Sequence, residues 1–311
     1  MISLRYHLVS VAAVFLALAA GVVLGSTAIS GRLLSGLSED NTSLGEEISG
    51  LQAERDALGA KLAEADLFAT SVGPLAVRGQ LTDRTVVVVT TSDARPGDRD
   101  ALAELLESAG ATVTGELQLT ESFTDPDEAD QLLDLVARLQ PAGTRLPTAA
   151  DPGTRAGGLL GSLLLLNEKS EPQASADETA AALSGLSSAG FVKQGPGLRP
   201  AHLAVVLTGG AVAADSAADR AATIARFATQ LDRSGAGAVL AGGGGCADGT
   251  GAVGAVRADT SATSVLSTVD SLDTPAGRIV VVLALREQLD GGAGRYGVAG
   301  NAEAASPGVA S

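Results

Sequence analysis

"HLAVVLTGGAVAADSAADRAATIARFATQLDRSGAGAVLAGG" (residues 202–243) decides the fold. Its first nine residues are aliphatic and β-branched and close on Thr-Gly-Gly, which reads as a buried strand. Residues 215–235 open on Asp-Ser, carry apolar side chains at helical spacing and stop at Ser-Gly, the pattern of an amphipathic helix. "AGAVLAGG" (236–243) is a strand again. A helix between two strands leaves them parallel in one sheet, because antiparallel neighbours need only a tight turn.

The same alternation runs through the rest. "RTVVVVTTSD" (84–93) reads as a strand, "GDRDALAELLESAG" (97–110) as a helix with a glycine stop, and "ATVTGELQLT" (111–120) as the next strand. "DPDEADQLLDLVARLQP" (125–141) starts on an acid and a proline and ends on a proline, as a helix does. "AGGLLGSLLLLN" (156–167) is apolar but too short for a bilayer, so it is assigned to a buried helix. Residues 168–177 form a polar, proline-containing loop. "ATSVLSTVDSLDTPAGRIVVVLALREQLDGG" (262–292) supplies a strand, a helix start at Pro275 and a last helix. The expected fold class is α/β: an N-terminal transmembrane helix and coiled-coil stalk followed by a mostly parallel-sheet α/β domain over 80–292. Residues 298–311, small and polar, are expected to be a disordered tail.

Composition narrows the function. Thirty-six acidic against 21 basic residues give a formal charge of −15, with no basic cluster to neutralise phosphates, so nucleic acid is excluded as a partner. Five Phe, two Tyr and no Trp leave the core to Ala, Val, Leu and Gly. The single cysteine, Cys246, rules out an intramolecular disulfide and a Cys-based structural zinc site.

From Leu8 to Gly31 no residue is charged, and Leu8–Leu24 is the densest apolar part. That length favours a retained span over a secretory core of about 7–15 residues, so 1–31 is assigned to a transmembrane signal-anchor segment. Cleavage near Gly25, Ser26 or Ala28 is the alternative. Arg5 ahead of the segment favours a cytoplasmic N-terminus and an exported bulk. Ala13, Ala17, Gly21 and Gly25 recur every four residues and would let two helix backbones approach closely in lipid. Chance is the competing explanation in a chain this rich in Ala and Gly.

A heptad seam follows over 32–70. Leu37, Leu44, Leu51 and Leu58 take d positions; Leu34, Asn41, Ile48 and Leu62 take a positions, with Arg55 an unfavourable member of the same series. Asn41 favours a parallel, in-register pair, whereas Gly36, Gly45, Gly50 and Gly59 each weaken the helix by about 1 kcal/mol. The reading is a modest coiled coil, tethered to the membrane and making the protein a homo-oligomer. One amphipathic helix packed on its own domain is the alternative. "SVGPLAV" (71–77) is expected to end the helix.

Two stretches invite a catalytic or cofactor reading. "GTGAVG" (249–254), with Asp270 downstream, matches the dinucleotide fingerprint, but a glycine loop precedes it and a strand-like segment follows it. Cys246, in "GGGGCADG" (242–249), would need a base within reach to act as a nucleophile, and His202 is the domain's one histidine. The glycine framing is not a nucleophile elbow. No catalytic constellation emerges, so neither an enzyme nor a cofactor is expected.

"MISLRYHLVSVAAVFLALAAGVVLGS" (1–26) and "AVRADTSATSVLSTVDSLDTPAGRIVVVLALREQLDGGAGRYG" (255–297) resemble the actinobacterial copper transport protein family, the mycobacterial copper transport protein B group described as outer-membrane and channel-forming. The resemblance covers nearly the whole chain in order. It implies an envelope protein of copper homeostasis, with copper as cargo, and a second envelope membrane protein as partner in cell separation. Soft Cu(I) is held by Cys, Met or His, and the sequence clusters none of these. No copper ligand is carried over. A transmembrane barrel would need repeated alternating strands and aromatic girdles, which this sequence lacks.

Overall fold

The structure, a computed structural model, describes the backbone of residues 4–211 and 216–308; the side chains of residue 4 and of residues 26–42 lie outside it. Two compact units divide the chain, 1–65 and 66–311. The described part of the first is one helix. This helix, α1, runs unbroken over Leu4–Ala76, so its last turns belong to the second unit. The helix runs without a break from the membrane segment expected at 1–31 through the stalk expected at 32–70, and it ends at Ala76, within the stop expected at 71–77. Pro74 lies inside it. A proline this close to the end removes a single intrahelical bond, and packing holds the last turn. A side chain at Gly73 would come within 3.2 Å of Ile279, and Val77 is fully buried.

The second unit continues with β1 (Thr85–Thr90), α2 (Pro96–Ser108), β2 (Thr112–Leu119), α3 (Glu121–Thr124), a 3-10 turn at 126–128 and α4 (Ala129–Arg138). Then come α5 (Pro152–Leu164), α6 (Ala176–Ser188), β3 (Val192–Gln194), β4 (Leu203–Thr208), α7 (Ala217–Asp232) and β5 (Ala238–Gly242). The last elements are α8 (Ala252–Arg257), α9 (Thr260–Thr263), β6 (Ser267–Val269), α10 (Pro275–Leu289) and β7 (Arg295–Tyr296). The sheet order is β3-β2-β1-β4-β5-β6-β7, parallel except for the antiparallel edge pair β2–β3. The α/β class with a mostly parallel sheet is as the sequence indicated.

Helices cover both faces, which is why the central strands are apolar between their ends. Val86 and Val88 of β1, with Leu203, Val205 and Leu207 of β4, pack towards α2, α10, Val77 and Leu81. Val87, Val89, Ala204 and Val206 point the other way, towards α5, α7 and α8. Small residues bring α5 and α7 together closely. A side chain at Gly153 or Gly157 would run into the carbonyl of Thr223 or Phe227. Of the run at 156–167, the part up to Leu164 is the buried helix expected of it, and Leu165 and Leu166 leave it to form isolated bridges with Ala201 and Pro172. The loop expected at 168–177 gives way to α6, opened by a capping box between Ser175 and Glu178.

The C-terminal end corrects the sequence reading. The domain does not finish at 292, and 298–308 is not a loose tail; residues 309–311 lie outside the described set. Arg257, on α8, is almost fully enclosed and pairs with equally enclosed Asp270 at 2.7 Å. The same guanidinium donates to Thr268 Oγ1, Asn301 Oδ1 and the Tyr296 carbonyl. Asp270 accepts from the backbone N–H groups of Val298 and Ala299, and Asn301 donates to the Ala247 carbonyl. Every polar group of this network has a partner, the condition under which a buried ion pair is tolerated. It straps residues 295–301 across the sheet edge.

Removing one member leaves an uncompensated charge. Arg257→Leu is expected to cost about 3–5 kcal/mol in urea unfolding of the full-length protein in detergent, part of which Asp270→Asn restores in the double variant. Gly157→Val, which overpacks the α5–α7 contact, is expected to cost about 1–3 kcal/mol in the same measurement.

Candidate functional site

The strand order reverses its direction of growth between β1 and β4: β2 and β3 build outward on one side, β5 to β7 on the other. Loops leaving the carboxyl ends of β1 and β4 therefore diverge, and ligands of open α/β sheets bind in the crevice this opens. Here the crevice exists. Thr91, Asp93, Thr120, Glu121, Thr208, Gly210, Arg220, Ile224 and Thr250 are among the residues around a cavity of about 160 Å³. An adjoining recess of about 290 Å³ shares Asp93, Thr208 and Gly210 with it and adds Arg95, Asp98, Gly243, Gly244 and Asp273.

The charges in the crevice are mostly spent on one another. Asp93 accepts from the Thr91 hydroxyl through one carboxylate oxygen and from the Gly209 N–H at 3.2 Å through the other. Asp98 is held by Arg95 at 2.8 Å and lies 3.5 Å from Arg278; Asp273 accepts from the Gly244 N–H at 3.3 Å. Among the described residues no group of three or more His, Cys, Asp or Glu side chains is placed to hold a metal ion.

The structure separates the two residues that might have formed a nucleophile and base. His202 stands just before β4 and Cys246 just after β5; the strands are parallel neighbours, so the two lie at opposite ends of the strands. His202 Nδ1 sits 2.7 Å from the Thr85 hydroxyl and 3.2 Å from the Thr85 N–H, and burial lowers its pKa. It clamps the starts of β1 and β4. Cys246 is fully buried, and burial, reinforced by the charge of Asp270, pushes its thiol up to about 12. A neutral, enclosed thiol is neither nucleophile nor soft-metal ligand. "GTGAVG" follows β5 and leads into the six-residue α8, where side chains at Gly251 and Gly254 would strike the Cys246 and Asp248 carbonyls. Those glycines serve close packing of α8 on its own loop. Asp270 is occupied by Arg257.

The small-residue stripe lies on bare helix. Arg5–Gly25 has a mean hydropathy of 2.6 and is long and apolar enough to cross a bilayer; Ala13, Ala17, Gly21 and Gly25 are exposed on it. Of the heptad seam, Leu44, Ile48, Leu51, Leu58 and Leu62 are 54–60% exposed, and the side chains of Leu34, Leu37 and Asn41 lie outside the described residues. Arg55 pairs with its neighbour Asp56, both exposed. Sequence reasoning missed the crevice residues, although "VVTTSD", "VLTGG" and "LAGGGG" repeat one signal: each central strand ends on Thr or Gly.

Residues 1–307 match the family described as copper transport outer membrane protein, MctB. The chain is 41% identical over 303 residues to the copper transporter MctB of Mycobacterium tuberculosis (strain ATCC 25618 / H37Rv), covering 96% of both chains. Identity and coverage are the same against the Mycobacterium bovis protein of that name. The copper transporter MctB of Mycobacterium leprae is 39% identical over 307 residues, again across 96% of each chain.

Burial of Cys246 has a direct readout. In the folded full-length protein a water-soluble maleimide is expected to leave it unlabelled at neutral pH and to label it fully in denaturant; fast labelling of the folded form would contradict its enclosure.

Proposed function

This chain belongs to the copper transport outer membrane protein family, MctB, and we propose that it lowers the copper content of the cell from a position in the envelope. The observation that carries this reading is the match over residues 1–307, which takes in the apolar N-terminal helix together with the α/β domain. Relatives matched over 96% of the chain carry the name copper transporter. The span Arg5–Gly25 anchors the protein, and the domain works outside the membrane that holds it.

Copper enters this reading as cargo. Cu(I) favours thiolate, thioether and imidazole donors, while the domain's cysteine is buried as a neutral thiol and its histidine clamps two strands. The sheet is covered by helices on both faces, unlike the lipid-facing wall of a membrane barrel. Transfer across the membrane therefore falls to an assembly built on α1. In that assembly Ala13, Ala17, Gly21 and Gly25 pack two spans face to face. The leucines from Leu44 to Leu62 pair as a parallel coiled coil, in register because both chains leave one membrane.

A second reading makes the protein a non-catalytic scaffold that recruits another envelope membrane protein. What favours it is the cluster of Leu67, Phe68 and Leu75 at the end of α1, 60–72% exposed; elsewhere in the domain, among the described residues, Val298 alone is a comparably exposed large apolar side chain.

Total cell copper in a deletion strain at sub-toxic external copper separates the two. Accumulation reversed by the complementing gene is the expected result; unchanged copper together with unseparated cells would replace transport by the scaffold. In membranes, the triple variant Gly21→Leu, Gly25→Leu, Leu44→Asp is expected to abolish cross-linking between copies. Undiminished cross-linking would remove the assembly from either account.

A further inference from the structure

The crevice between β1 and β4 holds one group whose chemistry is left over. Thr208, the last residue of β4, is 8% exposed, and its hydroxyl makes no hydrogen bond among the described residues. No side-chain polar atom there is both sealed from solvent and unpartnered, so this hydroxyl opens onto the space it lines, which is the crevice itself. A nearly enclosed hydroxyl without a partner loses free energy unless something binds it.

Three further features converge on the same space. The 16-residue α7 presents its first turn to the cavity through Ala217, Arg220 and Ala221, and Ser216 at its N-cap supplies no side-chain cap. Unsatisfied N–H groups and the helix dipole favour an anion at such an end. Arg220 adds a guanidinium whose carboxylate neighbour among the described residues, Asp125, stands 3.9 Å away, while its Nε donates to Ser216. Asp93 and Glu121 line the same cavity, and the Asp93 carboxylate keeps lone pairs beyond those used by Thr91 and Gly209. Gly243 and Gly244 floor the adjoining recess without need of being glycine for packing: a side chain at either would find nothing closer than 3.4 Å.

We propose that this crevice binds a protonated oxoanion, hydrogenphosphate or the monoanion of a phosphate monoester, through the Thr208 hydroxyl, Arg220 and the first turn of α7, with its P–OH donating to Asp93. Asp93 decides the class. A fully ionised oxoanion such as sulfate meets its carboxylate with lone pairs only, whereas hydrogenphosphate offers it a donor. The cavity of about 160 Å³ is well below the roughly 300 Å³ of a pocket that encloses a drug-sized ligand. It takes the phosphoryl group, and the recess beside it takes a small organic remainder. The site is independent of copper handling and stands or falls without it.

The test uses the full-length protein in detergent micelles, titrated by calorimetry at about pH 6, where a monoester keeps a P–OH in about half of its molecules, with inorganic phosphate, glycerol phosphate and sulfate. Saturable phosphate binding at millimolar concentration is expected, with sulfate weaker by about ten-fold or more. Tighter glycerol phosphate marks a monoester as the natural ligand, and equal affinities mark free phosphate. Thr208→Val and Arg220→Gln should each weaken phosphate by about ten-fold, and Thr208→Ser should keep it. Arg220 is partly exposed and tests the site without disturbing the core, should Thr208→Val fold poorly. No saturable phosphate binding, equal binding of sulfate, or binding unmoved by Arg220→Gln would each overturn the proposal.

Discussion

Residues Val86–Thr90 of β1 lie in parallel register beside Leu203–Leu207 of β4. All these residues are buried, on faces packed from both sides, so a slip of one residue would exchange the two cores. The pairing joins segments far apart in sequence, a closure whose entropic cost grows only slowly with loop length. It also gives the sheet two unlike ends. At the amino end His202 and Thr85 clamp the strands together. At the carboxyl end the connections part, and the crevice with Thr208 opens where the clamp is absent.

What was legible in the sequence follows from what each element depends on. β1, β4 and β5 are central strands, apolar along their length and closed by Thr or Gly, and α2, α7 and α10 carry their own start and stop signals. Those features are local. β3 and β7, three and two residues long, exist because a neighbouring strand offers hydrogen bonds, with Lys193 and Gln194 facing solvent. Ser175 and Glu178 hold the signal for α6, at the end of a stretch whose polarity and proline otherwise read as loop. The ordered C-terminus was the least legible. Arg257 reaches partners 11 to 44 residues away, and no window along the chain shows a charge being buried by so many.

The crevice was hidden for a different reason. Strand-terminal Thr and Gly read as punctuation, which they are; the reversal of strand order that makes them line a cavity is a property of the assembled sheet. The glycine fingerprint misled in the opposite sense, since Gly251 and Gly254 are fixed by the Cys246 and Asp248 carbonyls rather than by a ligand. The membrane segment, by contrast, needs only length and composition to be recognised. Its small-residue face and the leucines beyond it are surfaces whose meaning comes from a second molecule.

The chain has two tyrosines and no tryptophan, and this gives the C-terminal strap an optical signature. Tyr296 hands its phenol to both oxygens of Glu287, at 2.8 and 2.7 Å; burial, then that hydrogen bond, raises its pKa. An excited phenol is a much stronger acid than its ground state and passes its proton to a carboxylate so placed, which darkens its emission. Tyr6 sits on the apolar span, away from any such acceptor among the described hydrogen bonds. Tyrosine fluorescence is therefore expected chiefly from the membrane end while the strap is closed, and to brighten from the domain when the strap lets go.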